Sequence, residues 1–408
     1  MAVINLEHQP SGRIGWILSN GFRPMFALAS ALALLAVAAW LAFWRGWMNP
    51  PGDMLQAVLW HGHEMLFGFV GAAIGGFLLA AVANWTGRKP VSGVPLLLLA
   101  CTWLLARFVA LTAGAWPDVI NAMGAVSYWL LLAFLFGREL IHSGNRRNIK
   151  VLVIIALFAL LSLAFHLHWL PELQVLHLAV VLVLALLTLI GGRITPAFTR
   201  NWLNRQSLEA AQMPAAFGVV DIVAAVSTPV AGAAWVFWSQ SPVTACLLFL
   251  AGGAQLVRLV RWCGWQTASE PLLLVLHVGY AWLGIGLLLL AGSSVGLWLP
   301  SAGLHALTVG AMGGMIMAVA SRAALGHTGR ELVAGPLMVM AFISLHLAAL
   351  VRVLASLWPA MTSSLLMLAG LLWLMAFAFF AWRYLPILLG PSLSFSDRLK
   401  AQTSTQKG

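Results

Sequence analysis

The chain has 408 residues, of which 62% are hydrophobic and only 8% charged. Apolar runs of about 20 residues recur from end to end, the length that crosses a bilayer core of roughly 30 Å, so a soluble protein is excluded. A net charge of +11 would suggest nucleic acid in a soluble protein; here it falls between the apolar runs, and no nucleic-acid partner is expected.

Runs of Leu, Ala, Val and Gly favour helices over a barrel, whose strands would alternate over about 10 residues. The fold class is therefore an all-α integral membrane protein. A cytoplasmic lead over 1–24 precedes twelve predicted transmembrane helices: 25–44, 58–83, 92–115, 119–137, 149–169, 173–192, 215–238, 242–260, 271–291, 297–320, 334–357 and 361–382. The breaks carry turn signals such as "GRKPVSG", "AWPD", "HWLPE" and "SQSP". The first run is too long for a signal peptide and lacks its cleavage pattern. Residues 25–382 thus form one membrane domain, and 383–408 a cytoplasmic tail. Cys101, Cys246 and Cys263 are scattered and form no disulfide framework.

Lys and Arg cluster in alternate connections. Arg88 and Lys89 follow the second span, Arg138, Arg146, Arg147 and Lys150 the fourth, and Arg193, Arg200 and Arg205 the sixth. Arg258 and Arg261 follow the eighth, Arg322 and Arg330 the tenth, and Arg383, Arg398, Lys400 and Lys407 the last. Only Arg45, Arg107 and Arg352 break the pattern. The positive-inside rule then puts both termini in the cytoplasm of a multi-pass inner-membrane protein, with lipid headgroups as partners of the basic face.

A shift of 242 residues places His63 on His305, Gly68 on Gly310, Gly71 on Gly313 and Ile74 on Ile316. The same shift places Thr86-Gly87-Arg88 on Thr328-Gly329-Arg330. Spans two and ten thus share a grammar: a histidine near the outer end, small residues along the helix, and Thr-Gly-Arg at the inner loop. Span six, with His177 and "GGRITPAFTR", is a weaker third copy. Four-helix spacing suggests three four-helix units.

With this topology His61, His63, His177, His305 and His346 lie in the outer half of the membrane, beside Arg107 and Arg352. Ionisable residues inside a bilayer are costly and mark functional sites. Glu64 is the main acid of that layer and the candidate catalytic carboxylate. It cannot balance all the arginines, so an anionic ligand is expected. Haem fits, because its iron takes histidine and its propionates take arginine. His61 and His63 are about 200° apart around a helix and face opposite ways. The repeat then pairs His63 with His305 as the axial ligands, with Arg107 and Arg352 on the propionates. His61, His177 and His346 are candidates for copper, a second haem or proton supply. Gly68 and Gly310 allow close approach of a neighbouring helix or of a flat macrocycle.

"GFRPMF", "WHGHEMLFGF", "NWTGRKP", "GGRITPAFTRN" and "HALTVGAMGG…SRAALGHTGR" together resemble the NnrS family, from about residue 20 to the last span. The resemblance implies a bacterial inner-membrane protein that binds haem and copper and belongs to the nitric oxide stress response. His61, His63, Glu64 and His305 are the motif residues it favours. The histidines on spans two, six and ten also look like the catalytic subunit of haem-copper oxidases and respiratory nitric oxide reductases. This chain departs from those enzymes: span ten has one histidine rather than a His-x-His pair, and span seven has none, which puts a three-histidine copper site in doubt. The leading expectation is one or two b-type haems, with copper left open, nitric oxide bound or reduced, and an electron donor that the sequence does not identify. An anion or metal transporter, and a non-enzymatic haem or copper sensor or assembly factor, are the alternatives.

Overall fold

The computed structural model describes residues 12–49, 54–112, 114–206 and 213–393. Twelve helices in it are long and apolar enough to cross a membrane. They are α1 (Phe22–Trp44), α2 (Leu55–Thr86), α3 (Val94–Leu111), α4 (Asp118–Ser143), α5 (Arg146–His166) and α6 (Glu172–Arg205), followed by α7 (Val219–Phe237), α8 (Pro242–Val260), α9 (Pro271–Ser294), α10 (Ser301–Gly326), α11 (Gly335–Leu357) and α12 (Pro359–Leu388). A short helix, Gly12–Ile17, precedes them. Most of the predicted tail, 394–408, lies outside the described residues.

Most predicted boundaries move by a few residues, and three of the shifts have a clear local cause. The first helix begins at Phe22, because Arg23 and Pro24 are its first turn. The sixth extends to Arg205, so "GGRITPAFTR" is helical rather than a loop. Pro196 is accommodated near the start of its last segment. The twelfth runs past Pro386 to Leu388, and Arg23 holds its end: the guanidinium donates to the carbonyls of Ile387 at 3.3 Å and Leu388 at 3.0 Å, and to Ser392 Oγ at 2.8 Å. A cation at a helix C-terminus satisfies carbonyls that have no intrahelical donor. Arg23 therefore joins the first helix to the last.

The helices are arranged by how much of their surface is apolar all round. In α2, 83% of the membrane-length window is buried, and in α10 67%. These two and α6 touch one another at the centre. The other nine form three arcs around them. One runs α3, α4, α5; the next α7, α8, α9; the third α11, α12, α1. Chain neighbours pack antiparallel through short connections, as helical membrane proteins commonly do.

All three central helices contain a π-helical stretch: Glu64–Val70 in α2, Leu187–Gly191 in α6 and Ala306–Gly313 in α10. Under the 242-residue shift Glu64 falls on Ala306, so the stretches of α2 and α10 begin at equivalent positions. A π turn leaves carbonyls without their usual donor. Neighbouring helices supply donors: Trp103 Nε1 to Gly68 O at 3.1 Å, Tyr128 Oη to Gly71 O at 2.7 Å, and Arg258 Nη1 to Thr188 O at 2.9 Å.

Candidate functional site

His63 and His305 each stand immediately before a π stretch. His177 is ten residues ahead of the third one, so it does not occupy the matching place.

On one face of α2, His63 Nδ1 lies 3.0 Å from Glu64 Oε1, and the same oxygen accepts from Arg107 Nη1 at 2.7 Å. His63 and Glu64 are each only 2% exposed. A carboxylate accepts, so Nδ1 carries the proton and the lone pair sits on Nε2. That Nε2 is buried and has no hydrogen-bond partner. The imidazole lies against Phe67, with centroids 5.0 Å apart, and Phe165 at 4.8 Å, and meets the edge of His166 at 5.3 Å. His166 Nδ1 donates to the Ser162 carbonyl at 2.9 Å, which also leaves its lone pair on Nε2. His166 ends α5, which packs against α6, and α6 in turn touches α2.

On the other face, His61 stacks on Trp40 of α1 at 4.7 Å, and its Nδ1 is buried and unpartnered. His305 is on this side. Its Nδ1 donates to the Ser301 carbonyl at 2.9 Å. Arg352 donates to Ser301 Oγ at 3.0 Å and to Ser356 Oγ at 2.8 Å. His61 and His305 lie within electrostatic range of each other and of Arg352, and Ser301 Oγ is also 3.1 Å from His305 Nδ1. The structure thus brings His305 together with His61, and His63 together with His166. No contact links His63 to His305 among the described residues.

The two arginines also differ. Arg107 is matched by Glu64. Arg352 meets only hydroxyls, and among the described residues no carboxylate pairs with it.

Of the remaining candidates, His177 lies against Trp235 of α7 with centroids 4.4 Å apart. His346 faces Gly314 of α10, and neither of its ring nitrogens has a partner. The two glycines admit side chains: Gly68 faces the Arg107 guanidinium and Leu32, and Gly310 faces the Trp282 indole. Among the described residues no three His, Cys, Asp or Glu side chains are placed to hold one metal ion.

A second polar group lies nearer the basic end. Arg258, read from sequence as a surface charge, is only 2% exposed. Its Nε donates to Asp221 Oδ1 at 2.7 Å and its Nη1 to Tyr280 Oη at 3.0 Å. Tyr280 donates to Gln255 Oε1 at 2.7 Å, and Gln255 Nε2 donates to Thr228 Oγ1 at 2.7 Å and Thr188 Oγ1 at 3.0 Å. Opposite charges in spans seven and eight were the only sequence signal for it. Outside the spans, partial burial pushes the Cys263 thiol above its ordinary value, which keeps it out of thiolate chemistry.

A histidine with Nδ1–H fixed by an acceptor and a free Nε2 is prepared to ligate a metal. His63 meets that description, and Nδ1 of His166 and of His305 is fixed by a carbonyl in the same way. Among curated proteins none matches the chain. A family model described as NnrS protein matches residues 16–392, and this protein belongs to that family.

Proposed function

We propose that the protein binds haem in the outer half of the bacterial inner membrane and serves in defence against nitric oxide. The observation that carries this reading is the grouping of His61, His305 and Arg352. It offers two histidines from different central helices and a half-buried cation that no carboxylate among the described residues pairs with. An iron in a porphyrin asks only two axial side chains of the protein, and its propionates ask for cations. His61 and His305 would hold the haem iron, and Arg352 would hold a propionate. The repeat alone favoured His63 with His305; the nearness of His61 to His305, with His63 set against His166 instead, favours the change.

Bound haem would supply a redox-active iron able to take nitric oxide. The protein's part is to orient and to exclude water. Ser301 fixes the His305 tautomer and also receives Arg352, which couples the ligand to the cation. His63, with Glu64 as its positioning residue and His166 beside it, offers a second pair of donors for a second haem. A copper site built on three protein ligands finds no preformed set among the described residues, and no step is assigned to copper.

The three-arc arrangement and the three π stretches support reading the chain as three four-helix units. The alternating Lys and Arg support cytoplasmic termini, so the histidine end faces the periplasm.

An absorbance spectrum of the purified protein, produced with haem available, tests the reading. A Soret band is expected in the wild type and its loss or shift in His61→Ala and His305→Ala. Absence of the band in the wild type overturns haem binding. Consumption of nitric oxide with an electron donor supplied distinguishes a reductase from a protein that only binds.

A further inference from the structure

The three π-helical stretches converge on one place. Val70 of α2, Leu187, Ile190 and Gly191 of α6, and Met312 of α10 line a single cavity of about 80 Å³ at the centre of the bundle, with Met315 beside them. Every lining residue is apolar or glycine. Protein interiors are normally packed like organic crystals, so such a space needs a cause. The cause here is local. A π turn carries an extra residue and pushes side chains out of the usual ridge pattern. Gly191 adds to it by presenting no side chain toward Met315 and Tyr280.

Size and chemistry restrict the occupant. A water molecule takes roughly 30 Å³ in the liquid and needs two to four polar partners, which this lining lacks. A dry apolar cavity of about 150 Å³ accepts benzene or xenon. This one, about 80 Å³ and partly open, is too small for a quinone or a macrocycle; the end of a lipid acyl chain is the rival occupant. We propose that this cavity is a binding site for a small uncharged gas. Its position supports a role. His63 and His305 stand at the outer ends of two of the π stretches that reach it. Those stretches are roughly 10 Å long at about 1.5 Å per residue. The cavity would hold gas within that distance of the histidine layer. That the gas is nitric oxide rests on the function proposed above; that the cavity takes an uncharged gas does not.

Crystals of the full chain pressurised with xenon provide the test, read by anomalous scattering. The expected result is one xenon peak against Val70, Ile190 and Met312. In Ile190→Phe and in Val319→Phe, which fill the space from two different helices, the peak should be lost while the Soret band is unchanged. No peak in the wild type, or a peak that survives in both folded variants, overturns the site. A xenon peak in a protein with no Soret band would remove the haem reading and leave the gas site standing.

Discussion

His63 Nδ1 and Glu64 Oε1 lie 3.0 Å apart although the two residues are chain neighbours. Their contact falls at the junction where α2 passes into its π stretch. Arg107 completes the group through the same oxygen. Removing one partner from a buried charged group leaves the others uncompensated, at a cost of about 3 kcal/mol or more. Glu64→Ala should therefore lower thermal stability in detergent strongly. Glu64→Ala combined with Arg107→Met should cost less than the two separately. Strictly additive losses would show that the three residues do not act as a unit.

The Asp221–Arg258–Tyr280–Gln255 network should grade its losses by charge. Tyr280→Phe removes a neutral hydroxyl and should cost about 1 to 2 kcal/mol. Asp221→Asn leaves Arg258 without its carboxylate and should cost more, about 3 kcal/mol. Chemical or thermal denaturation of both variants checks the order, and a larger loss for Tyr280→Phe would reject it.

Gly192 faces the Arg258 guanidinium directly, leaving no room for a methyl group. Gly192→Ala should push Arg258 away from Asp221 and cost about 1 to 3 kcal/mol, as overpacking does. Gly253, which faces open space, is the control: Gly253→Ala should be neutral or slightly stabilising, because alanine is the better helix former. Equal effects at the two positions would remove the steric argument.

Arg352 should matter for ligand retention more than for folding. Arg352→Leu should weaken haem affinity about tenfold, or ~1.4 kcal/mol, and Arg352→Lys should retain part of it as a point charge. Titration of the haem-free protein with haem measures both. Unchanged affinity in Arg352→Leu would remove this residue as the anion partner.

Orientation can be tested without any ligand. In a chain with Cys101, Cys246 and Cys263 replaced by Ser, Trp169→Cys should react with an impermeant maleimide from the periplasmic side, and Lys89→Cys should not. The reverse pattern would invert the topology and put the histidine layer on the cytoplasmic side.

The number of spans, their order and the basic face were legible from residue types alone. Crossing a bilayer is a one-dimensional condition on length and polarity, and 20-residue apolar runs meet it wherever they occur. The matching grammar of spans two and ten was legible too, and the equivalent starts of their π stretches give it a structural counterpart. The partners were not. That His61 meets Trp40 and His305 while His63 meets Glu64, Arg107 and His166 depends on which helices flank α2, and apolar sequence records that poorly. Arg258 and Arg23 illustrate the same limit. In sequence one flanks the eighth span and the other falls in the predicted lead, yet Arg258 is buried in an ion pair with Asp221 and Arg23 holds the end of α12. Sequence determined which polar residues fall within apolar spans and how far along each, because position along a helix is read directly from the chain. Only the tertiary structure decided which of them share a site, because that depends on the direction each side chain takes around its helix and on the neighbour it finds there.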